Sequence, residues 1–249
     1  MKRKLEYCII SDVHLGTVGC HAEELCDYLD TVKIKNLIIL GDFIDGWNFK
    51  KKYFPDSHFR VLKKIFKLLQ NETRVYYLTG NHDEFLRKFD IIEMNNLSIL
   101  DSLELDINNK KYWIFHGDVF DIAMQYRFGK LISKIAGKSY DYLIKFNKFY
   151  NNFCRKFGIK EYSLSDHIKR NVKTAIKYIQ DYESIACETA SKKKFDYVIN
   201  GHIHQPNIKE YIFEDHKVIY MNSGDWVENL TALELENYES DWKIYKHPK

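Results

Sequence analysis

Leu5-Glu6-Tyr7-Cys8-Ile9-Ile10-Ser11-Asp12-Val13-His14 carries a short apolar run that breaks off into serine, aspartate and histidine. A run of this length and composition, Leu5–Ile10, reads as a buried strand. The same event recurs down the chain. After an amphipathic helix over Ala22–Val32, the strand Leu37–Leu40 ends in Gly41-Asp42; after a second helix, Ser57–Gln70, the strand Val75–Leu78 ends in Gly80-Asn81-His82-Asp83. Strands alternating with helices are βαβ units, which build a parallel sheet. Further on, Tyr112–Phe115 runs into His116-Gly117-Asp118, and Tyr197–Ile199 into Asn200-Gly201-His202-Ile203-His204. In such sheets ligands bind at the carboxyl ends of strands, where side chains from different strands converge. Beyond Asn207, short alternating runs (Asn207–Phe213, Lys217–Met221, Thr231–Leu235, Trp242–Tyr245) suggest antiparallel strands that return the end of the chain to the domain of its beginning.

The 249 residues are 45% hydrophobic and 29% charged with three prolines, a composition of one sizeable globular domain, 1–249, which excludes disorder and collagen-like repeats. A core of this size needs no disulfide or structural metal, so a metal here serves chemistry. The apolar run near the N-terminus is too short for a signal peptide and no window reads as a membrane span, so the expected location is the cytoplasm. Cys8, Cys20, Cys26, Cys154 and Cys187 show no CxxC spacing and read as small hydrophobes without disulfides. Residues 121–194 hold 16 Lys/Arg against 7 Asp/Glu, while the remainder holds 22 against 28. That cationic segment is a helical insertion, approximately 120–194: apolar positions recur every three to four residues over Tyr140–Phe157 and again over Leu164–Ile185. Such helices dock on their own protein or serve as a lid that meets a membrane surface. Nucleic acid is not the expected partner, because the basic residues flank bulky apolar stripes instead of forming a continuous arm. No oligomeric state is implied.

The strand ends supply Asp12, His14, Asp42, Asn81, His116, His202 and His204, oxygen and nitrogen ligands without a thiolate. That set suits Mn²⁺, Fe²⁺ or Zn²⁺ and is wrong for a structural cysteine–zinc site. Seven ligands are too many for one ion and right for two sharing a bridge. A carboxylate has two oxygens and can span both ions, which makes Asp42 the natural bridge. Two ions roughly 3.5–4 Å apart activate a shared water and neutralise phosphoryl charge, so the implied chemistry is phosphoester hydrolysis.

The ordered pattern Asp-x-His, Gly-Asp, Gly-Asn-His-Asp, His and Gly-His-x-His resembles the calcineurin-like metallophosphoesterases over nearly the whole chain. The resemblance implies a four-layer α/β/β/α sandwich with a helical lid insertion. It places one metal on Asp12, His14, Asp42 and His204 and the other on Asp42, Asn81, His116 and His202, with His82 beside the phosphate to stabilise it or protonate the leaving group; Asn81 and His82 are the candidate catalytic residues. Length, the insertion after His116-Gly117-Asp118 and the Gly224-Asp225-Trp226 turn resemble the UDP-2,3-diacylglucosamine diphosphatase branch, whose best-known members carry Gly-Asn-Arg-Asp where this chain has Gly80-Asn81-His82-Asp83. The branch implies Mn²⁺, a lipid-linked nucleotide-sugar diphosphate cleaved to UMP and 2,3-diacylglucosamine 1-phosphate in lipid A biosynthesis, and peripheral contact with the cytoplasmic face of the inner membrane. Asn81, His82, Trp226 and Lys169 are the candidate substrate contacts. The alternatives are a paralogue acting on another phosphodiester, pyrophosphate or nucleotide, and a non-catalytic metal-binding scaffold. Asp45, Asp83, Asp118 and Asp121 read equally as imidazole partners or turn residues, and His21, His58, His167, His216 and His247 as solvated side chains.

Overall fold

The computed structural model describes residues 2–89, 91–121, 165–213 and 216–248. The chain divides into two compact units, Met1–Asp118 with Ala186–Lys249, and Val119–Ile185. The larger unit is built on two mixed sheets. The first holds β1 (Arg3–Ile10), β2 (Val32–Leu40), β3 (Arg74–Leu78), β4 (Ile92–Met94), β5 (Leu97–Leu100), β11 (Thr231–Leu235) and β12 (Lys243–Lys246), in the order β12-β11-β1-β2-β3-β5-β4. The second holds β6 (Ser102–Ile107), β7 (Lys110–Phe115), β8 (Tyr197–Asn200), β9 (Asn207–Phe213) and β10 (His216–Asn222), in the order β6-β7-β8-β10-β9.

The carboxyl-terminal parts of the parallel strands β1, β2 and β3 are buried on both faces, which is why they read as apolar runs. Their side chains alternate. Cys8 and Ile10, Leu37 and Ile39, and Val75 and Tyr77 face one core with Leu25, Tyr28 and Leu29 of α1 (Ala22–Thr31) and Val61 and Ile65 of α2 (Asp56–Gln70). Tyr7 and Ile9, Ile38 and Leu40, and Leu78 face a second core shared with Leu103, Ile114, Ile199 and Met221 of the other sheet. Trp113 and Phe115 of β7 point the opposite way from Tyr112 and Ile114. On that outer face Phe195 stacks at 5.8 Å on Trp113, and the Lys193 ammonium lies 4.3 Å over the same indole. Lys193 directly follows α3 (Ser165–Lys192), whose Ala186, Cys187 and Ala190 are fully buried. The layers are therefore α/β/β/α.

Three strands, β4, β5 and β6, lie where no element is expected. β5 pairs in parallel with β3, and Asp101 alone separates it from β6, so the chain passes from one sheet to the other within a single residue. His58 is buried, not solvated: its Nδ1 accepts the Gly16 N–H at 3.0 Å, and Phe54 and Tyr53 pack edge-on against its ring. Cys8, Cys20, Cys26 and Cys187 are free thiols. The helix expected over Tyr140–Phe157 lies outside the described residues, as does Cys154. Among the described residues no helix is long and apolar enough to cross a membrane.

Candidate metal centre

The seven candidate ligands come together at the carboxyl ends of β1, β2, β3, β7 and β8. Beyond the strands the loops stay stitched: Asp12 N–H donates to the Gly41 carbonyl at 3.1 Å, His14 N–H to Asp42 at 2.9 Å, Asp45 N–H to Leu15 at 2.8 Å and Gly201 N–H to His116 at 3.0 Å. Five of these candidates, Asp12, His14, Asp42, His202 and His204, have φ between 52° and 64°. This left-handed region is uncommon for residues with a Cβ, and clusters of it mark functional sites. The turns bring the side chains so close that two loop positions must be glycine. A Cβ on Gly80 would stand 2.6 Å from Asp42 N and 2.9 Å from His116 Cδ2; one on Gly201 would stand 2.6 Å from Asp12 Oδ2.

Each ligating aspartate divides its oxygens. Asp12 Oδ2 accepts the His202 N–H at 3.0 Å, while Oδ1 lies 3.1 Å from His204 Nε2 and 4.0 Å from His14 Nε2. Asp42 Oδ1 accepts the His82 N–H at 2.8 Å, while Oδ2 lies 3.3 Å from His116 Nε2 and 3.9 Å from both His14 Nε2 and His82 Nε2. A single oxygen of Asp42, not both, faces candidate ligands of both groups. His116 is oriented from behind, its Nδ1–H donating to the Leu40 carbonyl at 2.9 Å, with Nε2 also 3.2 Å from Asn81 Oδ1. Fixing one imidazole nitrogen in this way aims the other at a metal.

Electrostatics mark the same spot. Burial alone would push the Asp12 carboxyl up, but His204 beside it outweighs burial and holds it below the usual carboxylate range. Burial likewise opposes, and His116, His14 and His82 overcome, so that the Asp42 carboxyl is held low. Conversely, burial disfavours the charged forms of His116 and His204, and Asp42 and Asp12 overcome it and raise both. The carboxylates stabilise positive charge at this point, whether a proton or a divalent ion carries it. Asp12 Oδ1 and His14 Nε2 are buried without a hydrogen-bond partner. Orphaned buried donors and acceptors call for a partner. Three groups here have ligand atoms within 4.8 Å of one another: Asp12 with His14 and His204, Asp42 with His116 and His202, and His14 with Asp45 and His82. The residues fit a pair of divalent cations.

The neighbouring carboxylates now separate. Asp45 Oδ2 lies 3.3 Å from His82 Nδ1 and 3.7 Å from His14 Nδ1, backing two imidazoles. Asp83 touches none: it accepts the N–H groups of Gly80 and Phe43 and the Tyr77 hydroxyl, stapling two loops. Asp118 pairs with Arg87 through both oxygens, and Asp121 accepts the Tyr178 hydroxyl. Trp226 is not a substrate contact. Its indole is 0% exposed in the helix-side core, 5.5 Å from the Tyr28 ring, and only its backbone serves the site, donating N–H to the Asp12 carbonyl at 3.1 Å. The Lys169 side chain falls outside the described residues. Sequence reasoning passed over Trp47, whose ring lies 3.9 Å from that of His82; a tryptophan placed two residues after Asp45 in a ligand-bearing loop is the signal that could have found it.

A family model described as calcineurin-like phosphoesterase matches residues 6–206. A protein of Aliivibrio fischeri named UDP-2,3-diacylglucosamine hydrolase is 26% identical over 242 residues, 95% of each chain. A Porphyromonas gingivalis protein of the same name is 24% identical, covering 92% of this chain and 96% of its own. Among solved structures, a novel archaeal phosphodiesterase aligns with 96% of this chain and 98% of its own at 15% identity and a TM-score of 0.46.

Proposed function

The chain belongs to the calcineurin-like phosphoesterase family and is a phosphoester hydrolase, and from that premise we propose that it cleaves the diphosphate of UDP-2,3-diacylglucosamine to UMP and 2,3-diacylglucosamine 1-phosphate, with Mn²⁺ as its metal, in lipid A biosynthesis. The observation that carries the chemistry is the single Asp42 oxygen turned toward both ligand groups. Asp12, His14, Asp42 and His204 would hold one ion, and Asp42, Asn81, His116 and His202 the other. Bound divalent ions supply Lewis acidity, lowering the pKa of water and neutralising phosphoryl charge. His82 stands beside the same centre with Asp45 behind its Nδ1. Burial disfavours its charged form, and Asp45 and Asp42 outweigh burial and favour it; in this reading His82 protonates the leaving oxygen as water adds to phosphorus and the P–O bond breaks. Asn81 and His82 would contact the phosphate.

The lipid substrate is supported by the relatives' shared name along nearly the full chain. The excess of positive charge in 121–194 would gather an anionic lipid substrate and hold the protein at an anionic membrane surface, the cytoplasmic face of the inner membrane in this reading. A coupled assay of UMP release from detergent-solubilised substrate with Mn²⁺ tests it; turnover of soluble phosphodiesters with none on the lipid would reject the substrate and keep the chemistry. That second reading, a paralogue acting on another phosphoester, is favoured by one observation: a histidine, His82, where the best-known members of the branch carry arginine.

A further inference from the structure

The segment Asp45-Gly46-Trp47 meets His82 in three separate ways. Asp45 Oδ2 faces Nδ1 at 3.3 Å, and Gly46 N–H donates to the His82 carbonyl at 2.9 Å. A side chain at Gly46 would forbid the approach, since its Cβ would stand 2.8 Å from that carbonyl oxygen. The third contact is the Trp47 indole, centred 3.9 Å from the imidazole with 33° between the planes. His14 meets the same imidazole edge-on at 4.6 Å. Trp47 is 59% exposed, whereas Trp113, Trp226 and Trp242 are 9% or less. Hydrophobic stabilisation scales with area removed from water, so core burial does not account for an indole left this open. The backbone bond fixes where His82 sits, but Nδ1, although 3.3 Å from Asp45 Oδ2, has no hydrogen bond to hold it; rotation of the ring about its terminal torsion is intrinsically broad. A flat ring on one face restricts it, and thereby the direction of Nε2, 3.9 Å from Asp42 Oδ2.

We propose that Trp47 is a positioning residue for the reaction: by stacking on His82 it fixes the imidazole plane and with it the direction in which Nε2 faces the phosphate. This rests on the proposed function, in which His82 contacts the phosphate.

The test is a double-mutant cycle on Mn²⁺-loaded protein with bis(p-nitrophenyl) phosphate, metal content being measured for each variant. His82→Ala slows kcat by roughly 10²–10⁴-fold. Trp47→Ala lowers kcat by roughly 10- to 100-fold, the effect of an ångström-scale misplacement, with KM and metal content unchanged, and Trp47→Phe restores most of the rate because a flat ring remains. In the His82→Ala background Trp47→Ala adds nothing. A Trp47→Ala loss equally large without His82 overturns the inference, as does an unchanged kcat where His82→Ala is slow. If His82→Ala itself turns over normally, the reading of His82 falls first. A second measurement needs no turnover: in metal-free protein the emission lost in Trp47→Phe is quenched by the stacked imidazole and rises in His82→Ala, and no rise would show that the rings do not stack.

Discussion

Gly41→Ala separates backbone strain from site geometry. Gly41 has φ +78°, and a Cβ there would stand 2.5 Å from Cγ and 2.8 Å from Cβ of His116, and nearer still to Nδ1. Carbon atoms in contact sit about 3.5–4.0 Å apart, so the imidazole has to retreat by about 1 Å. It has nowhere to go: His116 is buried and tied by Nδ1 to the Leu40 carbonyl at 2.9 Å. The backbone conformation costs about 1–2 kcal/mol for a residue with a Cβ, and forcing extra volume into a packed site about 1–3 kcal/mol. Together these make about 2–5 kcal/mol, or roughly 5–15 °C in Tm for a chain of this size. The same retreat carries Nε2 away from Asp42 Oδ2, so Gly41→Ala also loses metal. Gly16→Ala is the control: φ is +105°, yet the nearest atom to its Cβ is a carbonyl oxygen at 3.6 Å, an ordinary contact. It carries the backbone penalty alone and keeps both ions. Thermal unfolding of metal-free protein, with metal stoichiometry after Mn²⁺ loading and desalting, reads both effects. Gly41→Ala as stable as Gly16→Ala, holding two ions, would refute the reasoning.

Two further outcomes follow from the charges. Asp42→Asn removes the anion that both ions share; a unit-charge pair at 4 Å is worth about 4 kcal/mol at an effective dielectric constant near 20, so both affinities fall together by roughly 10³-fold, and calorimetric titration showing one site intact would move the bridge elsewhere. Stability should fall steeply in alkali: burial pushes the Tyr7 hydroxyl and the Cys8 thiol up to about 12, and raises Tyr28 and Tyr77 well above their ordinary range. The unfolded chain loses these protons first, so stability is intact below the unfolded values, begins to decline near pH 9 with Cys8 and falls more steeply between about pH 10 and 12 with the tyrosines, by about 1.4 kcal/mol per pH unit for each group. Urea midpoints that stay flat to pH 12 would show the tyrosines to be solvated.

The strands that were legible are those buried on both faces. Tyr7–Ile10 of β1, Leu37–Leu40 of β2 and the Val75–Leu78 part of β3 form near-continuous buried apolar runs, so composition announces them, while the exposed Lys33 and Lys35 hide the first half of β2. β5 has only Leu97–Leu100 between Asn-Asn and Asp-Ser, too short for any period to show, and its place is set by the register Val75 to Leu97 through Leu78 to Leu100 on β3. Its stabilisation lies in the partner. His58 is the same case for a side chain: it stands in a polar opening turn of α2, and what buries it is the N–H of Gly16, 42 residues away. No local pattern encodes that contact.

The cluster of seven candidate ligands was legible because each sits within a few residues of a strand's carboxyl end, and strand ends are readable. How they are held was not. Five of them occupy left-handed backbone, each at a cost on the order of 1 kcal/mol, and that conformation is maintained by the hydrogen bonds between loops that begin 29 to 190 residues apart, such as Asp12 N–H to Gly41 and His202 N–H to Asp12 Oδ2. The ligand geometry is thus imposed by the crossing of loops, and the sheets fix the loops. It follows that residues which touch no metal, Asp83 between two loops, Asn229 donating to the His204 carbonyl at 2.7 Å and the Trp226 backbone beneath Asp12, govern metal affinity through the same bonds that resist the strain, while substitutions on the solvent faces of α1 and α2 leave it untouched.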